Sequence, residues 1–156
     1  MSAVSAAESA SSTVTTHDAV AELSHDFRLA NGRLARRLRQ QQAGNEVTPG
    51  QFSALCALFT HGSLTLGELS EQERVTPPSM NRTVNALVEF GLVMRTNSAD
   101  DGRKVVLSPS DEGSDLVLKT RERRDAWITQ RVVKLTTHEQ QILAEATTIM
   151  RRLAES

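Results

Sequence analysis

The residues best suited to chemistry lie in one short stretch near the middle of the chain, from Thr76 to Asn85. If the apolar side chains of this stretch form the inner face of a helix, an arginine and two asparagines remain on its outer face. Arginine can make a bidentate contact to guanine, asparagine can do the same with adenine, and hydroxyl groups suit phosphate oxygens. The stretch therefore predicts a helix that reads base pairs, with Arg82 as the first candidate and Asn81 as the second. The outward residues would be Pro78, Asn81, Arg82 and Asn85, with Thr76 at the start of the helix and Ser79 and Thr83 on the flanks.

Any exposed helix carries polar side chains, and most of these are simply solvated. The DNA interpretation therefore depends on a second cluster, Asp101-Gly102-Arg103, which stands in a polar turn. Asp101 can hold the Arg103 guanidinium by charge-assisted hydrogen bonds, so that the arginine points outward. An arginine at such a tip could enter a narrow minor groove, where the negative potential is enhanced. The alternative is an ordinary turn with a screened ion pair.

Basic residues are concentrated in this part of the chain. Between Arg74 and Lys104 there are five basic and three acidic residues, a net charge of +2 (5 − 3) in a chain of net charge -1. The chain as a whole is not a polycation, so a nucleic-acid site must be a local basic patch. The patch is modest, and we expect groove geometry as well as charge to contribute to binding. Lys104 is included among the candidate DNA-contacting residues.

Helix-start signals indicate the elements that must position these residues. Thr48 and Thr65 are each followed three residues later by glutamine or glutamate, which is the capping-box pattern. Thr76 would cap a third helix, which opens with a Pro-Pro pair that only the first turn of a helix tolerates, and Gly91 would end that helix. The buried face of this third helix would consist of Met80, Val84, Leu87 and Val88.

The period of the apolar residues changes after Gly91. Residues 92–96 and 104–107 indicate two short strands around a polar turn, and a long helix then begins at Ser110. A short helix, a tight turn, a second helix and a hairpin form a winged helix-turn-helix. The fold class expected is mainly α with a small two- to three-stranded β wing, in which the N- and C-terminal helices form a dimerisation domain. The expected domains are a disordered tail at 1–17, a dimerisation helix at 18–47, a winged helix-turn-helix DNA-binding lobe at 48–109, and a long linking helix with a C-terminal dimerisation helix at 110–156.

Composition argues against several other classes of protein. The 156 residues can bury a core without staples, no apolar run is long enough to span a membrane, and no secretory signal is present, so we expect a cytoplasmic protein. The single cysteine, Cys56, lies on an apolar stripe with no basic residue near it in the sequence, which predicts a buried structural thiol. The four histidines are dispersed, which predicts no metal site. No catalytic triad, P-loop or Gly-rich dinucleotide turn is visible, so we expect neither enzyme activity nor a cofactor.

The stretch VTPPSMNRTVNALVEFGLVMR, followed by DDGRKVVLSPSDEG, resembles the multiple antibiotic resistance regulator (MarR) family of bacterial winged-helix repressors. The resemblance covers roughly residue 18 to the C-terminus. The family's wing signature is an Asp-x-Arg, then a strand and a Leu-Thr-x-x-Gly helix start. Asp101 and Arg103 match the first part, Ser110 and Gly113 match the threonine and the glycine, and Pro109 replaces the usual apolar residue before the cap.

The resemblance implies a homodimer with interlocking terminal helices and places Arg95 at the base of the wing. The apolar faces of the first and last predicted helices, which have no obvious partner inside the winged lobe, also favour a dimer. Two recognition helices would then meet a near-palindromic operator. Many family members lose DNA affinity on binding a small phenolic or anionic molecule, so we expect a repressor released by such an effector, with a ligand pocket that the sequence does not identify. The alternative is a winged-helix scaffold for protein interaction without specific DNA readout.

Overall fold

The structure, a computed structural model, describes residues 4–43, 47–97 and 104–155 of the chain. The chain divides into two units, residues 1–40 and 41–156. The first unit contains helix α1 (Val4–Arg39), and the second contains the other described elements. Those elements are α2 (Pro49–His61), β1 (Leu64–Thr65), α3 (Leu66–Gln72), α4 (Pro77–Glu89), β2 (Val93–Asn97), β3 (Val105–Pro109), α5 (Asp111–Val132) and α6 (Thr137–Glu155).

Helix α1 begins earlier than the sequence analysis predicted. The apolar period predicted a start near Asp18 after a disordered tail at 1–17, whereas the helix extends back to Val4. Residues 4–17 contain no glycine or proline, and adding turns to an existing helix is far easier than nucleating one. The tail assignment is therefore corrected over these residues. The other end agrees with the sequence pattern, because Arg36, Arg37 and Arg39 occupy the last turn, where cations suit the helix dipole.

Helices α2 and α3 both start at the predicted capping boxes. The Thr48 hydroxyl accepts from the Gln51 backbone N–H at 3.3 Å, and the Gln51 side-chain oxygen accepts from the Thr48 N–H at 2.8 Å. Thr65 and Glu68 repeat this exchange at 3.3 Å and 2.7 Å. Each box satisfies backbone donors that the first turn of a helix leaves unpaired, so the two threonines fix where the helices begin.

The three strands form an antiparallel sheet in the order β1–β3–β2. Strands β2 and β3 pair along their whole length, from Val93 opposite Pro109 to Asn97 opposite Val105. This hairpin is the predicted wing. The third strand, β1, is the short segment that leads into the α3 capping box, so Thr65 both pairs with β3 and caps a helix.

The core of the second unit lies between α2, α3, α4, the sheet and the first half of α5. The inner face predicted for α4 is confirmed at three of its four positions, whereas Val88 is only partly buried at the edge of the core. A buried hydrogen bond from the Ala43 backbone N–H to Thr120 Oγ1 (3.0 Å) ties the segment before α2 to α5. The largest fully buried side chains are Leu55, Leu58, Leu69, Val84, Leu87, Val117 and Thr120.

Hydrogen bonds and a close backbone approach hold the end of α4 against the start of α5. Ser110 Oγ donates to the Gly91 carbonyl at 2.6 Å and accepts from the Gly113 N–H at 3.0 Å. Gly91 has φ +70°, the left-handed conformation that ends many helices and favours glycine. A Cβ at Gly113 would collide with the backbone carbonyl of Leu92. The serine and glycine of the wing signature therefore hold the base of the wing against the end of α4.

The terminal helices carry apolar side chains that are not buried. In α6, Ile142, Leu143, Ile149 and Leu153 are between 39% and 58% exposed, and none of its residues is buried. Helix α1, considered by itself, exposes 38–69% of each of five large apolar residues, which are Val20, Leu23, Phe27, Leu29 and Leu34.

Candidate nucleic-acid interface

Helix α4 has a buried face and an exposed polar face. Met80, Val84 and Leu87 are held in the core, which fixes the helix from behind. A helix held this way can present its opposite face to a major groove. Of the residues predicted to contact DNA, the exposed ones on this helix are Pro78, Ser79, Asn81, Arg82 and Asn85, while Thr83 is half-buried beside them.

The N-terminus of α4 differs from those of α2 and α3. Thr76 has the extended backbone of an N-cap, with φ −70° and ψ 146°, but its side chain makes no capping hydrogen bond. The next two residues, Pro77 and Pro78, have no backbone N–H, so the helix start has fewer donors to satisfy. Thr76 is thus the N-cap by its backbone, as predicted, but its exposed hydroxyl does not cap the helix.

A tight turn connects α3 to α4. Arg74 has φ 55°, the one described non-glycine residue with a positive φ. The Arg74 N–H donates to the Glu71 carbonyl and the Val75 N–H to the Ser70 carbonyl, at 3.1 Å and 3.0 Å. These bonds close the tight turn of a helix-turn-helix.

Arg95 joins the wing to the exposed face of α4. It stands on β2, and its Nη2 donates to Oδ1 of Asn85 at 2.7 Å and to Oδ1 of Asn81 at 3.4 Å. The resemblance placed Arg95 at the base of the wing, but its bonds to the two asparagines cannot be foreseen from the sequence. The structure thus brings together three of the predicted site residues.

The wing tip lies outside the described residues, since Asp101 and Arg103 fall between 98 and 103. Their predicted roles therefore remain predictions. Lys104, which directly precedes β3, is described and exposed. Its charge helps to lower the pKa of Glu68, although the larger causes are the hydrogen bonds that this carboxylate accepts from Thr65.

The described residues form neither a metal site nor a membrane-spanning helix. In residues 4–43, 47–97 and 104–155, no three His, Cys, Asp or Glu side chains are placed to hold a metal ion. Over the same part of the chain, no helix is long and apolar enough to cross a membrane.

Comparison with known proteins places the chain in a family. A sequence model of the MarR family matches residues 47–105. An uncharacterised HTH-type transcriptional regulator of Mycobacterium bovis is 38% identical over 138 residues, which cover 88% of this chain and 96% of that protein. The chain belongs to the MarR family. It is therefore a winged-helix, DNA-binding transcriptional regulator, as the resemblance implied.

Two further comparisons cover different shares of the chain. The HTH-type transcriptional repressor MdtR of Bacillus subtilis is 37% identical over 67 residues, 43% of each chain. A MarR family protein from Bacillus stearothermophilus has the same fold, with a TM-score of 0.78 and 23% identity over 90% of this chain and 98% of that one. The fold likeness thus extends well beyond the segment 47–105 that the family model matches.

The cysteine of this MarR family member has basic neighbours that its sequence did not reveal. Arg121 and Arg124 of α5 lie 4.9 Å and 5.0 Å above the rings of Phe59 and Phe52, which flank Cys56 on α2. Burial raises the pKa of the half-buried Cys56 thiol, and the two arginines offset only part of this effect. The thiol is half-buried and not fully buried as predicted, and α5 brings two arginines near it that are distant in the sequence. The raised pKa still disfavours a reactive thiolate.

Proposed function

We propose that the chain represses transcription by binding a near-palindromic double-stranded DNA site as a homodimer, with α4 in the major groove. One observation carries the proposal. Arg82 is exposed on α4 beside the amides of Asn81 and Asn85, while the opposite face of the helix is fixed in the core. Arginine is the side chain most often used to read guanine, and a rigid support keeps it in register with the base edge.

The remaining candidates surround this reading face. The hydroxyls of Thr76, Ser79 and Thr83 would contact phosphates and fix the register of the helix without reading sequence. At the wing, Arg103 would enter the adjacent minor groove, oriented by Asp101, and Lys104 would add a phosphate contact.

The homodimer is supported by the apolar side chains of the terminal helices. Ile142, Leu143, Ile149 and Leu153 of α6 are at least 39% exposed, and α1 by itself presents a comparable set. Contiguous apolar surface of this kind marks an interaction site in a protein that must stay soluble. A second copy of the chain would cover it and would set two α4 helices about one DNA turn apart.

Repression and its release by a small phenolic or anionic molecule complete the proposal. Repression is supported by the similarity to MdtR, which is named a repressor. Release is supported by a cavity of about 300 Å³ whose apolar walls include Phe90, Leu92 and Leu116. Lys119 also lines this cavity, beside two acidic side chains. Its Nζ lies 3.5 Å from Asp115 Oδ2, and it would exchange this partner for a phenolate or carboxylate. A pocket of this size suits a ligand of one or two rings.

The proposal is tested by selecting genomic DNA fragments with the purified protein at two salt concentrations. The selection is repeated with Arg82→Ala and Arg103→Ala, and with Arg123→Ala as a control that removes an equal charge from an exposed position on α5. We expect the wild type and the control to enrich one near-palindrome. Arg82→Ala should lose it, at a cost of about 1–3 kcal/mol for each half-site.

The recovered operator then serves to identify the effector, by screening phenols and aromatic acids for loss of binding. Fragments without a shared motif, bound with an affinity that vanishes as salt rises, would indicate phosphate attraction alone. That result would favour a scaffold for protein interaction over specific DNA readout.

A further inference from the structure

Arg95 lies on a strand of the sheet, but its side chain forms hydrogen bonds with α4. Its backbone is fixed on β2 opposite Leu107 of β3, and its side chain crosses to the exposed face of the helix. There one guanidinium nitrogen, Nη2, engages both Asn85 and Asn81. The two asparagines are four residues apart and therefore neighbours on one face, so a single nitrogen with two hydrogens can serve both.

The chemistry of these partners fixes how both amides are turned. Arginine has only donors, so each asparagine must direct its oxygen toward Arg95 and its NH2 group away from it. The oxygen and the NH2 group occupy opposite corners of the planar amide. Because Asn81 and Asn85 are exposed, their NH2 groups are the parts best placed to meet a base.

We propose that Arg95 is a positioning residue that makes α4 select guanine over adenine, an inference that rests on the proposed DNA readout. A bidentate contact to adenine needs an amide that accepts from N6 while it donates to N7. With their oxygens turned toward Arg95, Asn81 and Asn85 direct their NH2 donors outward, and the second lone pair of each oxygen stays on the side of the guanidinium. Guanine presents two acceptors, N7 and O6, at the same edge, so a donor-only face fits guanine. The adenine contact expected from the sequence is thereby replaced.

The surroundings of the amides give the guanidinium this controlling role. A cavity of about 370 Å³ adjoins Asn81, Asn85 and Arg95, with apolar walls that include Leu66 and Leu107. The apolar walls offer no hydrogen bond of their own, so water alone would replace Arg95 at the exposed amides. Without the guanidinium the amides have room to turn, and their oxygens become free to accept from adenine.

The test compares duplexes that differ only in guanine or adenine at the base pairs under Asn81 and Asn85, which are the positions of the wild-type motif under α4 other than the one that Arg82 reads. Dissociation constants are measured for the wild type, Arg95→Ala and the charge-matched control Arg123→Ala. We expect the wild type and the control to prefer guanine roughly tenfold, within the range of a good base contact. In Arg95→Ala the preference should fall close to one. Arg95 is exposed, so an unchanged thermal midpoint should show that the variant folds.

A second comparison separates positioning from direct contact. In the background Asn81→Ala with Asn85→Ala, adding Arg95→Ala should leave the base preference unchanged, because the amides that it orients are gone. An equal loss of affinity for both duplexes, with a shallower salt dependence and no change in preference, would make Arg95 a phosphate contact and overturn the proposal. A wild-type preference for adenine would also overturn it. If the wild type enriches no motif, the DNA readout itself fails and the role of Arg95 fails with it, whereas a motif that Arg95→Ala retains unchanged refutes only that role.

Discussion

Helices α4 and α6 are both amphipathic, but only α4 buries its apolar face. Met80, Val84 and Leu87 of α4 are at most 3% exposed, whereas Ile142 and Ile149 of α6 are about half exposed. Apolar area contributes roughly 25 cal/mol per Å² when it is removed from water. Helix α4 is therefore stabilised by the core of its own chain. The stability of α6 depends on interactions within the helix, such as its capping box, and, under the proposed homodimer, on contacts with a second copy.

The largest effect on stability should come from removing a buried apolar side chain of α4. Leu87→Ala removes a fully buried side chain of α4, and we expect it to lower the free energy of unfolding by about 2–5 kcal/mol. Urea denaturation at fixed protein concentration measures the loss. Val88→Ala on the same helix is the control, because Val88 lies at the partly buried edge of the core and should cost less than half as much. Equal losses would mean that the α4 core is not packed as described.

The next largest effect should come from removing an exposed apolar side chain of α6. Ile149→Ala should weaken the dimer by about 2–3 kcal/mol, because roughly half of the side chain remains to be buried in each of two copies. This corresponds to a rise of about 30- to 150-fold in the dimer dissociation constant, measurable by analytical ultracentrifugation.

Met94→Ala is the matched control for that measurement. Met94 on β2 is 49% exposed, as Ile149 is, but it lies on the wing strand, where no dimer contact is proposed. We expect its dimer dissociation constant to equal that of the wild type. If the two substitutions weaken the dimer equally, or if Ile149→Ala has no effect, α6 is not the dimer face.

The same contrast explains what the sequence could predict. Capping boxes and apolar periods are local signals, so the starts of α2 and α3 and the inner residues Met80, Val84 and Leu87 were predicted correctly. The predicted start of α1 was wrong because residues 4–17 carry neither an apolar period nor a helix breaker, and the sequence gives no sign of where the helix begins. Burial of an apolar face is not local, which is why α4 and α6 look alike in the sequence.

Contacts between segments that are distant along the chain could not be predicted from the sequence either. The bonds from Arg95 to Asn81 and Asn85 depend on how β2 packs against α4, and the spacing of residues along the chain does not report it. The two arginines near Cys56 were missed for the same reason, since they come from α5. The exposed polar face of α4 was predictable because it is what remains after the inner face is assigned.

A smaller effect separates the two helix starts. Thr136 caps α6 through a box with Glu139, while the Thr76 side chain makes no capping bond to α4. Thr136→Ala should therefore lower the free energy of unfolding by about 1 kcal/mol, and Thr76→Ala by clearly less. Thermal denaturation measures both. Thr76→Ala should instead reduce DNA affinity, and a full capping loss at Thr76 together with unchanged DNA binding would contradict its proposed role at a phosphate.

The smallest expected effect is the pH dependence of the capping box at the start of α6. Hydrogen bonds from the backbone and side chain of Thr136 hold the pKa of Glu139 below its ordinary value of 4.5, and α4 has no such carboxylate at its start. A carboxyl whose pKa is lower in the folded state stabilises the fold fully above the unfolded pKa, and the contribution is lost as pH falls through the folded pKa. The titration midpoint of the Glu139 carboxyl, followed by carbon NMR, should therefore lie below 4.5. Glu139→Gln keeps an acceptor but does not titrate, so the stability advantage of the wild type over this variant should shrink as pH falls below 4.5. An advantage that grows in acid would mean that the box does not favour the charged carboxylate.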